Sequence, residues 1–186
     1  MQAFEFLMVL QSIIIGLGMA EILSGLGQLL RAKGTTRIYW LHSVLVFVIL
    51  MALVLHWWDS WDLQRTTEWT FPAVLIFVLG PIILFLLSDL AFPETATGCD
   101  LEEYYYAHTR QIWGLAALYV VVAMSFGPLV FNTHLITAKN LIRGGGLVLC
   151  AVLAVSRRKS LHAAGILGAA GLLALYILLF NFWLTR

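Results

Sequence analysis

Six long apolar runs, at Phe4–Leu30, Tyr39–Trp58, Phe71–Leu90, Ile112–Phe131, Leu135–Val155 and Leu161–Leu184, fill most of this 186-residue chain. Each is close to the ~20 residues a helix needs to cross ~30 Å of hydrocarbon. Lipid offers no water to satisfy a backbone N–H or C=O, so each run is obliged to be helical. The fold class that follows is all-α: a polytopic integral membrane protein, a bundle of six transmembrane helices, read as a single domain over residues 1–186.

Composition excludes several other classes. The chain is 61% hydrophobic and only 11% charged, against ~25% charged residues in soluble domains. Its net charge of +1 gives no basic surface for nucleic acid. The first run has no positive segment before it, since Met1-Gln2-Ala3-Phe4-Glu5 precedes it, so it reads as a mature span and not a cleaved signal. Cys99 falls in a loop and Cys150 inside the fifth run, so no disulfide between them is expected. No catalytic motif is present that would name a reaction.

Lys and Arg are concentrated on one side. Arg31, Lys33 and Arg37 fall in the first loop, Arg110 in the third connection, and Arg157, Arg158 and Lys159 in the fifth, against Arg65, Lys139, Arg143 and Arg186 opposite. The positive-inside rule then puts loops one, three and five in the cytoplasm and both termini in the periplasm of a bacterial inner membrane. The segment 91–111 is a turn-rich loop leading into an amphipathic helix entry. There, Asp100 with Glu103 is a variant of the N-cap box that starts a helix near Leu101.

The polar residues inside the apolar runs are the functional candidates. In the first run Gln11, Gly18, Glu21, Gly25 and Gln28 trace one helical stripe, expected to face the bundle interior. Glu21 lies roughly 15 Å above the Arg31 end, and Arg143 roughly 20 Å above Arg157, so the two are expected at similar depth and able to pair. Lys139 and Asn140 sit one turn outward from Arg143. Gly144, Gly145 and Gly146, with Gly165, Gly168 and Gly171 of the sixth run, are expected to let helices one, five and six pack closely, together with Gly18 and Gly25. Pro81 and Pro128 are expected to kink helices three and four. His162, beside Arg157, Arg158 and Lys159, is expected to be solvated.

His42 and His56 are fourteen residues apart on the second run, hence on one face and ~21 Å apart along the axis. This pair resembles the histidine arrangement of membrane b-type cytochromes. The resemblance implies haem b held by His42 and His56, and an electron-carrier role; the rest of the sequence calls for no cofactor and no metal.

The function expected from the sequence is translocation of an ion, proton or small polar solute through a polar bundle interior, with Glu21 as central charge, Arg143 as its modulator, and Gln11, Gln28, Lys139 and Asn140 as accessory groups. So few polar residues in one chain suggest a homo-oligomer. The alternative is a non-catalytic subunit or assembly factor of a larger membrane complex, docking through its glycine-rich helices and residues 100–111.

Overall fold

The structure, a computed structural model, describes residues 3–32, 34–66, 68–95 and 97–181, without the side chain of Arg65. Lys33 and Arg186 of the charge count, and residues 182–184 of the sixth run, lie outside the described residues. Six helices follow one another: α1 (Ala3–Arg31), α2 (Trp40–Asp59), α3 (Phe71–Asp89), α4 (Leu101–Phe131), α5 (Ala138–Val155) and α6 (Lys159–Tyr176). A 3-10 turn, Ser60–Arg65, extends α2, and a π-helical turn, Ile177–Asn181, extends α6. All six are long and apolar enough to cross a membrane, and no strand occurs among the described residues. The chain is therefore an all-helical, multi-pass membrane protein.

Local signals set the helix ends. Asp100 caps α4, its Oδ1 accepting from the backbone N–H of Glu102 at 2.8 Å and of Glu103 at 3.3 Å. Thr137 caps α5 by accepting from Asn140 N–H at 3.2 Å, and Thr70 caps α3 through Ala73 N–H at 3.4 Å. These caps satisfy donors that the first turn leaves free. At the other end of α4, Asn132 takes a left-handed conformation with φ 52°. Helices α3 and α4 continue through Pro81 and Pro128 without interruption. Among the described residues both cysteines are free thiols.

Packing makes a ring. Helix α2 packs on α3, α3 on α4, α4 on α5, α5 on α6, and α6 back on α2. Helix α1 lies outside this ring, against α2, α3 and the 3-10 turn. It presents Gln11, Ile15, Gly18, Ile22 and Gly25, all buried, at a 4-3-4-3 spacing that draws a narrow seam along a helix. The expectation that helices one, five and six form the tight part of the bundle is thus corrected: α1 belongs with α2 and α3, because its small residues meet Leu53 and Ser88 at Gly18, and Phe92 at Gly25.

At the end of the bundle carrying the first, third and fifth connections, loops one and three are joined. Arg37 N–H donates to Cys99 O and Leu101 N–H to Arg37 O, each at 3.1 Å. Above this bridge Arg37 pairs with Asp100 at 3.1 Å, and Lys159 pairs with Glu102. Just inside it, Trp113 Nε1 donates to Tyr105 OH at 3.0 Å, which lies 2.6 Å from His162 Nδ1, while His162 Nε2 is 2.9 Å from Ser156 O. A neutral imidazole satisfies all four groups: Nε2–H donates to the carbonyl and Nδ1 accepts from the tyrosine. His162 is completely buried, which corrects the solvated reading. Its charged neighbours in sequence point outward, while α6 turns the imidazole in towards Tyr105.

Candidate functional site: an ion-paired cap over an apolar chamber

The site begins where α4 and α5 meet. Pro128 has no N–H to give the carbonyl of Met124 four residues earlier. That oxygen accepts instead from Asn140 Nδ2 at 3.2 Å, and the same amide donates to Leu135 O at 2.9 Å. One turn deeper on α5, Arg143 NH1 donates to the neighbouring carbonyl of Ala123 at 3.1 Å and to Asn140 Oδ1 at 3.3 Å. The first two turns of α5 are therefore moored to the turn of α4 that proline weakens. In hydrocarbon such a freed carbonyl needs a partner from a neighbouring helix.

The second guanidinium nitrogen turns towards α2 and α6. Arg143 NH2 donates to Asp59 Oδ2 at 3.1 Å and approaches Tyr176 OH at 2.7 Å. Tyr176 OH in turn donates to Asp59 Oδ2 at 2.9 Å, and Asn181 Nδ2 donates to Asp59 Oδ1 at 2.8 Å. Lys139 Nζ lies 3.7 Å from Asp59 Oδ1 and 3.4 Å from Asp62 Oδ2. The guanidinium carbon also stands 5.2 Å from the centre of the Tyr176 ring, within cation–π range. Asp59 closes the last turn of α2, where the helix dipole disfavours an anion. Two cations and two neutral donors hold it there, and the π turn after Tyr176 brings Asn181 to it. With Asp59 21% and Arg143 24% exposed at the side chain, the pair is half-buried and charge-neutral.

Beneath this cap the five helices of the ring line a half-open chamber of about 180 Å³. Its wall is built by Leu45 and Ile49 of α2, Leu84 of α3, Ala116 of α4, Cys150 of α5 and Leu172 of α6, among others. Asp59 and Arg143 are the charged residues among the described lining. A second cavity, of about 210 Å³, lies between α2, α3 and α4 and shares Asp59, Tyr119, Ala123 and Arg143 with the first. The cap thus forms a septum between two spaces. Tyr119 OH sits in it, 3.2 Å from His56 Nδ1.

The residues singled out in the sequence divide between this site and the periphery. Arg143, Lys139 and Asn140 belong to the cap. Gln11 is buried on α1, donating to Ser60 Oγ at 2.6 Å, and pins α1 to the end of α2. The expected Glu21–Arg143 pair is corrected: the guanidinium is taken by Asp59, while Glu21 is exposed on an outer groove that Gln28 and Asp89 also line. The glycines divide too. A Cβ would meet Leu153 at 2.6 Å from Gly165 and Leu149 at 3.1 Å from Gly168. Gly144, Gly146 and Gly171 have nothing within 4 Å, and Gly145 only Leu172 at 3.9 Å. The triple glycine is therefore not a close-contact surface, and Gly146 opens the chamber wall.

His42 and His56 occupy α2 at two levels, each with one ring nitrogen hydrogen-bonded within the chain and the other, His42 Nδ1 and His56 Nε2, buried without a hydrogen-bond partner. His42 Nε2 donates to Ala91 O at 2.7 Å, and its ring meets Phe92 edge-on at 5.5 Å. His56 is packed so tightly on α3 that a Cβ at Gly80 would lie 2.7 Å from its Cε1. Asp59, Tyr119, Tyr176 and Asn181 were missed in the sequence. Asp59 had a visible signal as a carboxylate directly after an apolar run, but it reads there as a loop residue.

Comparison of the chain with protein-family models, with curated proteins and with solved structures gives no match.

Proposed function

We propose that the ring interior receives a small, mostly apolar molecule with one hydrogen-bonding end, and that the protein serves to hold or move such a solute within the membrane. The carrying observation is the chamber itself: an apolar wall contributed by five helices, ending on the Asp59–Arg143–Tyr176 cap. A hydrated ion would have to shed water against leucine, isoleucine and alanine, which costs several kcal/mol per unsatisfied charge or dipole. The polar conduit centred on Glu21 therefore gives way to an apolar receptacle with a polar lid. Because Asp59 neutralises Arg143, a neutral hydroxyl or carbonyl suits the cap better than a free anion.

Photolabelling with a diazirine-bearing octanol tests this reading. Label is expected on chamber residues such as Leu149, Cys150 and Ala116, and is expected to disappear in Gly146→Leu, where the new side chain enters the chamber. Label found only on lipid-facing residues, and equally in Gly146→Leu, overturns it. So does potassium flux through proteoliposomes that is abolished by Arg143→Gln, which would restore the ion conduit.

A further inference from the structure

Arg110 of α4 and Arg157, just beyond α5, line one groove of about 350 Å³ at the end of the bundle away from the cap, together with Tyr106, Thr109 and Ser156. Neither guanidinium has an acidic partner among the described residues. Of the carboxylates at the start of α4, Asp100 pairs with Arg37 and Glu102 with Arg37 and Lys159, while exposed Glu103 lies two turns before Arg110 and outside the groove lining. The hydroxyls at the rim are also oriented: Thr109 Oγ1 donates to Tyr105 O at 2.9 Å, and Ser156 Oγ accepts from Arg158 N–H at 3.2 Å.

The groove lies where hydrocarbon gives way to water. Helix α5 ends at Val155, which is 86% exposed, and the polar Ser156-Arg157-Arg158 follows at once. On the facing helix Arg110 is the last charged residue before the apolar run that starts at Ile112. Towards the bilayer centre both helices that form the groove continue with exposed apolar residues. Val152 and Val148 stand on α5 and Leu118 on α4, all exposed. At Gly114, one turn below Arg110, nothing lies within 4 Å of where a side chain would begin.

We propose that this groove binds an anionic phospholipid, with the phosphate between Arg110 and Arg157 and an acyl chain laid over Gly114 along Val152 and Val148. Guanidinium forks match phosphate oxygens in paired hydrogen bonds, and basic recesses between transmembrane helices suit anionic headgroups. Two uncompensated positive charges favour a headgroup of net charge −1 over a zwitterionic one, whose ammonium they repel. The proposal is independent of the chamber, since none of its residues lines that space.

Native mass spectrometry of the full chain in a neutral maltoside detergent tests it, using phosphatidylglycerol, phosphatidylcholine and glycerol 3-phosphate as probes. Phosphatidylglycerol is expected to bind about tenfold more tightly than phosphatidylcholine, and Arg110→Gln and Arg157→Gln each to weaken it about fivefold. Arg158→Gln, outside the groove, is expected to leave binding unchanged. Gly114→Leu, which keeps both arginines and obstructs the acyl track, is expected to weaken the lipid as well. Equal binding of the two lipids overturns the proposal, as does phosphatidylglycerol binding untouched by both arginine variants. Binding of glycerol 3-phosphate as tight as that of the lipid overturns it too, in favour of a free-phosphate site. Should either glutamine variant misfold, Arg157→Lys and Gly114→Leu carry the same comparison.

Discussion

Asn140 on α5 donates its side-chain amide to the carbonyl of Met124 on α4, the oxygen that Pro128 cannot serve. The two helices are joined through the defect in one of them. Replacing Asn140 by Leu removes the donor and leaves a carbonyl without its helical partner, at an expected cost of about 1–3 kcal/mol. Pro128→Ala restores an N–H to the same oxygen. A double-mutant cycle read by unfolding in mixed micelles is therefore expected to show Asn140→Leu costing about 1 kcal/mol less in the Pro128→Ala background. Additive effects would show that the amide matters through Leu135 O and Arg143, not through Met124 O.

Breaking the Asp59–Arg143 pair from one side strands a charge. Asp59→Leu and Arg143→Leu are each expected to destabilise by about 2–3 kcal/mol, below the ~3–5 kcal/mol of a fully buried pair because both side chains retain some solvent contact. The double variant is expected to be more stable than the sum of the two losses allows. Thermal unfolding of all four proteins in one detergent checks this.

Two glycine substitutions are expected to move stability in opposite directions. At Gly25 a Cβ would stand 2.3 Å from the Phe92 ring, and that ring is held against His42, so Gly25→Ala must displace it. At Gly144 nothing lies within 4 Å, so Gly144→Ala is expected to stabilise α5 by about 0.5–1 kcal/mol. Melting temperatures that fall for the first and rise for the second agree with this packing.

Acid is expected to loosen the entry to α4 first. Burial works against the Asp100 carboxylate, but the backbone N–H groups of Glu102 and Glu103 and the Arg37 guanidinium outweigh it, holding the group below its ordinary 3.8. A depressed carboxyl stabilises the fold above its unfolded value and loses that contribution as pH falls through the folded one. Hydrogen-exchange protection at the first turn of α4, measured against the free-amide rate at each pH, should therefore be high at neutral pH and fall below about pH 4. In Asp100→Ala the same turn is expected to show low protection throughout, with the two proteins converging in acid.

What the sequence could and could not tell follows from the range of the forces involved. The six spans are local: an apolar run of membrane length must be a helix wherever its neighbours are. The start of α4 is also local, because Asp100 caps a turn two and three residues away. The stripe on α1 was half readable. Gln11, Gly18 and Gly25 are buried, but Glu21 sits one position before Ile22, about 100° round the helix, and that rotation takes it from the seam to an outer groove. Arg143 was visible as an intramembrane cation, whereas its partner was not: Asp59 lies 84 residues away. Only the closure of α6 onto α2 brings Tyr176 and Asn181 to the same carboxylate. The triple glycine misled because small residues equally permit close approach and empty space, and helix periodicity does not separate the two.

Helix α1 leans on the outside of a ring that the other five helices complete among themselves. It therefore works as a buttress, bracing α2 and α3 from outside without lining the chamber. The shape of the interior is set by the later segments, while the leading one braces their outer face along a single narrow seam.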